Sequence, residues 1–165
     1  MASGFGSHAE GHNTKATGEY SHAEGWDTRA TGDWSHAEGG SGTIASGEYS
    51  HAEGRATTAS GYCCHAEGAN TIANPTGDIG RTTRGCAHVE GAGSKASGHA
   101  SHAEGMNTIA SGDVQHVFGQ YNVSLPSIAG PITYQGYKDI YGNIMPPNTG
   151  PIGYVEIVGG GYEWG

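Results

Sequence analysis

The residues of this chain that could carry out chemistry are histidine and glutamate, which recur as the pair His-x-Glu. Because residues i and i+2 of a β-strand point to the same side, each pair could offer two ligands to zinc or another divalent metal. Catalysis would need different residues with separated pKa values in one pocket, whereas here the same pair is repeated. We therefore predict no enzyme activity and no obligatory cofactor. We favour a structural hydrogen-bond network, with a divalent metal or an anion on some pairs as the alternative. The pairs are His8/Glu10, His22/Glu24, His36/Glu38, His51/Glu53, His65/Glu67, His88/Glu90 and His102/Glu104, and an eighth copy holds His116 with Phe118.

The pairs belong to a longer repeat that must position them. The sequence motif Ser-His-Ala-Glu-Gly occurs at residues 7–11, 21–25, 35–39, 50–54 and 101–105, with degenerate copies at 64–68, 87–91 and 115–119. The histidines are mostly 14 residues apart, and a fixed period indicates stacked structural repeats. The second half of each unit reads Thr-x-Ala-Ser/Thr-Gly. Each unit therefore predicts two short strands with glycine at the corners, which together form one turn of a parallel β-roll.

Successive side chains of a strand point to opposite sides, and this predicts which residues face the core and which face outward. Serine, alanine and threonine are predicted to point inward and to fill a thin core. Histidine and glutamate point outward from the first strand of each unit. An outward face that is repeated so uniformly is better explained by a contact than by solvent.

Composition limits the classes of function. The chain has 165 residues, a formal net charge of −9 and only seven lysines and arginines, which disfavours nucleic acid as a partner. No apolar stretch is long enough to span a membrane, and no signal peptide is recognisable. Large apolar side chains are rare before residue 113. An array this thin is expected to need association with other copies.

The paired half-repeats resemble the head repeats of trimeric autotransporter adhesins, the YadA-like left-handed parallel β-roll. The Ser-His-Ala-Glu-Gly variant, which ends in Gln-His-Val-Phe-Gly-Gln-Tyr-Asn at 115–122, is similar to tail and appendage proteins of phages and prophages of Gram-positive bacteria. The resemblance covers residues 2–122 and resumes weakly at 154–161. It implies an all-β, homotrimeric, left-handed parallel β-roll (a solenoid) of 14-residue repeats with a short irregular or β C-terminal cap.

The resemblance also implies a role for the His-x-Glu pairs. In the adhesin heads, aliphatic residues at these places face the trimer axis. If the register carries over, the histidine and glutamate side chains of three chains meet at that axis. Each glutamate would then accept a hydrogen bond from a histidine of a neighbouring chain, and this network would fix the trimer register. Phe118 would end the polar stack as an apolar plug.

Three further features leave alternatives open. Cys63 and Cys86 occupy equivalent places on consecutive turns, so they predict either a disulfide or free thiols. An insertion between His65 and His88 carries Asp78, Arg81 and Arg84, which could form a receptor loop for an acidic surface glycan. We favour the alternative, an insertion that the fold tolerates and that has no binding role. Aromatic residues that stand two places before several histidines could form a sugar-binding stripe, although plain stacking is favoured.

These observations give the following expectations for organisation and function. Residues 1–122 form the β-roll, 123–153 a connector rich in proline and tyrosine, and 154–165 a terminal strand of a longer fibre. The expected function is a rigid, adhesive segment of a trimeric phage or prophage tail fibre, located in the virion tail and facing the host surface, with a host cell-surface glycan as a further partner. The alternatives are the head of a bacterial trimeric surface adhesin and a non-catalytic part of a glycan-degrading tailspike.

Overall fold

The structure is a computed structural model that describes residues 1–75 and 85–121, together with the backbone of 157–158. In these residues the chain is an all-β parallel solenoid without helices. This confirms the predicted fold class at the level of a parallel β-solenoid with 14-residue repeats. The predicted receptor-loop residues Asp78, Arg81 and Arg84 and the 123–153 connector lie outside the described residues.

Each repeat contributes one long and one short strand. The long strands are β1 (His8–His12), β3 (His22–Trp26), β5 (His36–Gly40), β7 (His51–Arg55), β9 (His65–Ala69), β11 (His88–Ala92), β13 (His102–Met106) and β15 (His116–Gln120). The short strands are β2 (Lys15–Ala16), β4 (Arg29–Ala30), β6 (Ile44–Ala45), β8 (Thr58–Ala59), β10 (Ile72–Ala73), β12 (Lys95–Ala96) and β14 (Ile109–Ala110). A last strand, β16 (Ile157–Val158), pairs with β15.

The strands form two parallel sheets whose register superimposes identical residues. The long strands and β16 build a nine-stranded sheet, and the short strands build a seven-stranded sheet. His8 pairs with His22 and Glu10 with Glu24, and the same pairing recurs up the sheet. The insertion leaves this register intact, because His88 still pairs with His65. The repeat period therefore places every His-x-Glu pair directly above the previous one.

The core lies between the sheets and consists of small side chains, as predicted. The inward-facing alanines of both strand types, apart from half-buried Ala9, are buried, and so are most of the inward serines and threonines. The largest buried side chains are Val89 and Val117. The buried serines that precede the histidines are satisfied locally: Ser35 Oγ donates to the carbonyl oxygen of Gly32 at 2.6 Å, and the equivalent serines do the same. The hydroxyls of Thr28 and Thr57, by contrast, are buried without a hydrogen-bond partner.

The positions of the glycines differ from the sequence-based expectation that they lie at the corners. Corner residues with positive φ are mostly not glycine; they include Tyr20, Trp34 and Asp27. The glycine of Ser-His-Ala-Glu-Gly lies inside the long strand, as at Gly25 with φ of 105°. Glycine is required there by close approach of the next turn, because a Cβ at Gly25 would lie 2.0 Å from the carbonyl oxygen of Gly39.

The described residues include no helix of the length and hydropathy needed to cross a membrane.

Candidate binding face: a column of histidine and glutamate

The outward side of the long strands forms one continuous column of imidazoles and carboxylates, which we call the His/Glu face. Its members are the seven predicted His-x-Glu pairs together with His116 and Phe118. From His22 to His116, consecutive imidazole rings are stacked with centroids 4.6–4.8 Å apart and interplanar angles of 1–5°. Only the first contact, His8 with His22, is tilted, at 76°. The structure thus brings together every predicted member of the column on a single chain.

Within one chain, the first histidine–glutamate pair is hydrogen-bonded, whereas the pairs in the middle of the column lie near each other without a hydrogen bond. His8 Nε2 and Glu10 Oε2 lie 3.3 Å apart at the exposed end. In the middle of the column the separation of the same two atoms grows to 3.7–3.8 Å, for example between His36 and Glu38. That distance is too long for a hydrogen bond. The side chains of His36 and Glu38 are each 36% exposed, so the face is half-buried in the single chain.

The imidazole Nε2 atoms are consequently left without partners. The Nε2 atoms of six histidines are inaccessible to solvent and have no hydrogen-bond partner: His22, His36, His51, His65, His88 and His102. A buried polar atom without a partner costs about 1–3 kcal/mol. Six such atoms on one face leave an unmet demand for hydrogen bonds or ligands on this surface.

Burial, and after it the neighbouring imidazoles, lowers the basicity of two inner histidines, His51 and His88. Partial burial lowers the pKa of His51 below its ordinary value, and the neighbouring His36 and His65 lower it further, against the opposing effect of Glu53 and Glu38. The pKa of His88 is lowered in the same way, first by burial and then by His102 and His65. These imidazoles are therefore neutral at pH 7 and can act as ligands or as hydrogen-bond partners.

The glutamates form a continuous column of carboxylates along the face. Parallel pairing in register places Glu24 next to Glu38 and Glu38 next to Glu53 on adjacent strands. At a strand spacing of about 4.8 Å, two carboxylates repel by about 1 kcal/mol in bulk water and by about 3–4 kcal/mol at an effective dielectric constant of 20. The neutral imidazoles of His51 and His88 do not offset this repulsion. The face therefore favours donors of hydrogen bonds and cations.

At the C-terminal end of the column, histidines lie between the glutamates of two turns. His102 Nε2 is 3.8 Å from Glu90 Oε1 and 3.9 Å from Glu104 Oε2. His116 Nε2 is 3.9 Å from Glu104 Oε2. Phe118 follows in the place of the next glutamate, with its ring centroid 5.8 Å from that of His116. The charged column thus ends against an aromatic ring.

Three groups on the face have the composition of a metal site. Each has two histidines from adjacent strands and one glutamate, with ligand atoms that lie within 4.8 Å of one another. The sequence suggested single His-x-Glu pairs as ligand sets, and it missed that the third ligand comes from the next turn. The signal was nevertheless present, because a spacing of 14 residues places successive histidines side by side. The groups are His51/Glu53/His65, His65/Glu67/His88 and His102/Glu104/His116.

The aromatic residues at the corner stack on one another. Trp34 lies between Tyr20 and Tyr49, with ring centroids 5.9 and 5.0 Å away and interplanar angles of 14° and 7°. Phe5 and Tyr62, which the sequence pattern did not include, cover the two ends edge-on. Sugars bind aromatic side chains through the ring face, and here the faces cover each other. The arrangement favours shielding of the solenoid edge over a sugar-binding stripe.

The three cysteines lie on two adjacent turns of the solenoid. Cys63 and Cys86 are exposed free thiols on adjacent turns, and desolvation together with the nearby Cys63 raises the pKa of Cys86. A disulfide between them stays a prediction. Cys64 is buried, and its desolvation raises the pKa of the thiol to about 11.

Comparison with known proteins adds no further assignment. No protein-family model matches the chain, and no curated protein matches it.

Proposed function

We propose that this chain is a structural module that associates with copies of itself through the His/Glu face. In this proposal three left-handed solenoids lie parallel around a threefold axis and form a stiff rod. The resemblance to tail and appendage proteins extends the proposal to a spacer in a phage or prophage tail fibre that contributes to attachment at the host surface. The observation that carries the proposal is the set of solvent-inaccessible Nε2 atoms without partners on a half-buried, uniformly repeated face.

Two properties of the single chain support self-association. The core is built mostly of alanine, serine and threonine, so one chain buries little large apolar surface. The His/Glu face is also self-complementary, because each chain offers both carboxylates that accept hydrogen bonds and imidazoles that can donate them. A neighbouring copy in the same register would satisfy Nε2 and carboxylate oxygens together on every turn.

The proposal is tested by the mass of the protein in solution. In buffer with EDTA, a trimer of the 16.8-kDa chain has a mass of about 50 kDa in multi-angle light scattering. Replacing Glu38 and Glu53 with alanine should shift the mass toward the monomer at low concentration, because the opposing imidazoles lose their acceptors. The matched control replaces Glu19 and Glu48, which are exposed and not part of the His/Glu face, and should keep the wild-type mass.

Two results would contradict the proposal. A monomeric mass for the wild-type chain at all concentrations would remove self-association altogether. A trimer that dissociates identically in the Glu38/Glu53 and Glu19/Glu48 variants would show that the interface lies elsewhere on the solenoid.

A further inference from the structure

We propose that the His/Glu face binds divalent first-row transition cations, of which Zn²⁺ is the reference case, at two sites per chain. The middle site is formed by His51, Glu53, His65, Glu67 and His88, and the distal site by His102, Glu104 and His116. This inference goes beyond the proposed function, since every ligand comes from one chain. On these turns the cation takes the place of the hydrogen-bonding groups of a neighbouring copy, and the remaining turns stay available for association.

The donor set defines the class of cation. Each group offers two imidazole nitrogens and one carboxylate oxygen. Zinc, cobalt, nickel and copper accept mixed nitrogen and oxygen ligands, whereas magnesium and calcium prefer oxygen alone. Three protein ligands leave one position of a tetrahedral ion open for water. Glu67 offers a second carboxylate at the middle site.

The geometry allows the ligands to converge after a small adjustment. Ligand atoms of one tetrahedral zinc ion lie about 3.3 Å apart, given metal–ligand distances of about 2.0–2.2 Å. In the groups described here they lie within 4.8 Å of one another. The difference is about 1.5 Å, which rotation about side-chain torsions of partly exposed residues can supply. The backbone of the solenoid need not move.

The unligated state is unfavourable for two reasons that a cation would remove. The Nε2 atoms of His51, His65 and His102 lack hydrogen-bond partners and are hidden from solvent. The carboxylates of adjacent turns repel one another along the column, as described above. A divalent cation accepts the nitrogen lone pairs and neutralises the charge at the same time.

The stoichiometry follows from the sharing of His65. The groups His51/Glu53/His65 and His65/Glu67/His88 have this imidazole in common, and a neutral imidazole has only one nitrogen lone pair to offer a metal. The two groups therefore compete for His65, and the middle site holds one ion. The distal group shares no residue with them and holds a second ion.

The N-terminal part of the same face supplies an internal control. Among the described residues, no group that contains His8, His22 or His36 brings three ligand atoms within this distance. His22 nevertheless has the same residue type, a similar exposure and the same kind of unpartnered Nε2. A replacement of His22 therefore removes an equivalent imidazole without touching a proposed site.

The test measures the number of ions bound per chain. Zn²⁺ is titrated into the chelator-treated full-length protein at pH 7.5 by calorimetry. Wild type should bind two ions, His65→Gln one, Glu104→Gln one, and the double variant none. The control variant His22→Gln should retain two. Circular dichroism checks the fold of each variant, and Co²⁺ absorption between 500 and 650 nm reports tetrahedral nitrogen/oxygen coordination without relying on heat.

The outcomes also separate this inference from the proposed function. Equal loss of zinc in His65→Gln and His22→Gln would show non-specific binding to surface histidines and would overturn the inference. So would two ions retained in the double variant, or no zinc uptake and no Co²⁺ spectrum in wild type. The mass of the protein in EDTA decides self-association independently, so a trimer without zinc sites and a monomer with them are distinguishable results.

Discussion

Replacing Gly25 with alanine should destabilise the solenoid strongly, although the position is on the surface of a strand. Gly25 has φ of 105°, a conformation that residues with a Cβ rarely adopt. An added Cβ would lie 2.0 Å from the carbonyl oxygen of Gly39 on the next turn. The neighbour is backbone in a paired strand, so it cannot rotate away as a side chain could.

The magnitude follows from the strand spacing. Carbon–oxygen contacts between strands lie at about 3.3–3.6 Å, so the two strands must separate locally by more than about 1 Å. That separation breaks one or two ladder hydrogen bonds, each worth about 0.5–1.5 kcal/mol net. The unfavourable φ adds about 1–3 kcal/mol. We expect a loss of about 2–5 kcal/mol in the free energy of unfolding.

Gly40 provides the matched control for this measurement. It has no positive φ, and its added Cβ would meet the carbonyl oxygen of Trp26 at 3.7 Å, which is ordinary contact. Gly40→Ala should therefore be neutral or stabilise by up to about 1 kcal/mol, through the lower entropy of the unfolded chain. Urea unfolding followed by far-ultraviolet circular dichroism measures both variants. A Gly25→Ala variant within 0.5 kcal/mol of Gly40→Ala would refute the argument from close approach.

Two more predictions concern titratable groups. Because burial and the facing imidazoles lower the pKa of His51 and His88, the unfolded chain binds more protons than the folded one below about pH 6.5. The contribution of these two histidines to the free energy of unfolding should be fully present above that pH and be lost on acidification. The urea midpoint in EDTA should therefore be lower at pH 5.5 than at pH 7.5, and an equal or higher midpoint at pH 5.5 would contradict this prediction. The second prediction concerns Cys64, whose pKa of about 11 leaves about one thiolate in a thousand at pH 8. A thiol reagent should label Cys63 and Cys86 in the folded, reduced protein and Cys64 only after unfolding; three fast-reacting thiols in the folded state would exclude a buried Cys64.

The sequence by itself determined the repeat period, the all-β fold class and which side chains point inward or outward. A 14-residue period with small residues in phase admits only stacked turns, and alternation along a strand separates Ala23 from His22 and Glu24. These properties are local, because the direction of a side chain from a strand depends only on its position in the alternation. For the same reason the sequence predicted a column of histidine and glutamate before its geometry was known.

Only the tertiary structure decided how the turns contact each other. The sequence pattern assigned glycine to the corners, whereas the structure places Gly25 inside a strand where the next turn approaches, and places Trp34 at a corner with positive φ. The stacking of the imidazole rings and the sharing of His65 between two ligand groups likewise depend on contacts between residues 14 or more positions apart. The same packing leaves the Nε2 atoms without partners. Such contacts depend on side-chain rotamers and interatomic distances, which a repeat period does not specify.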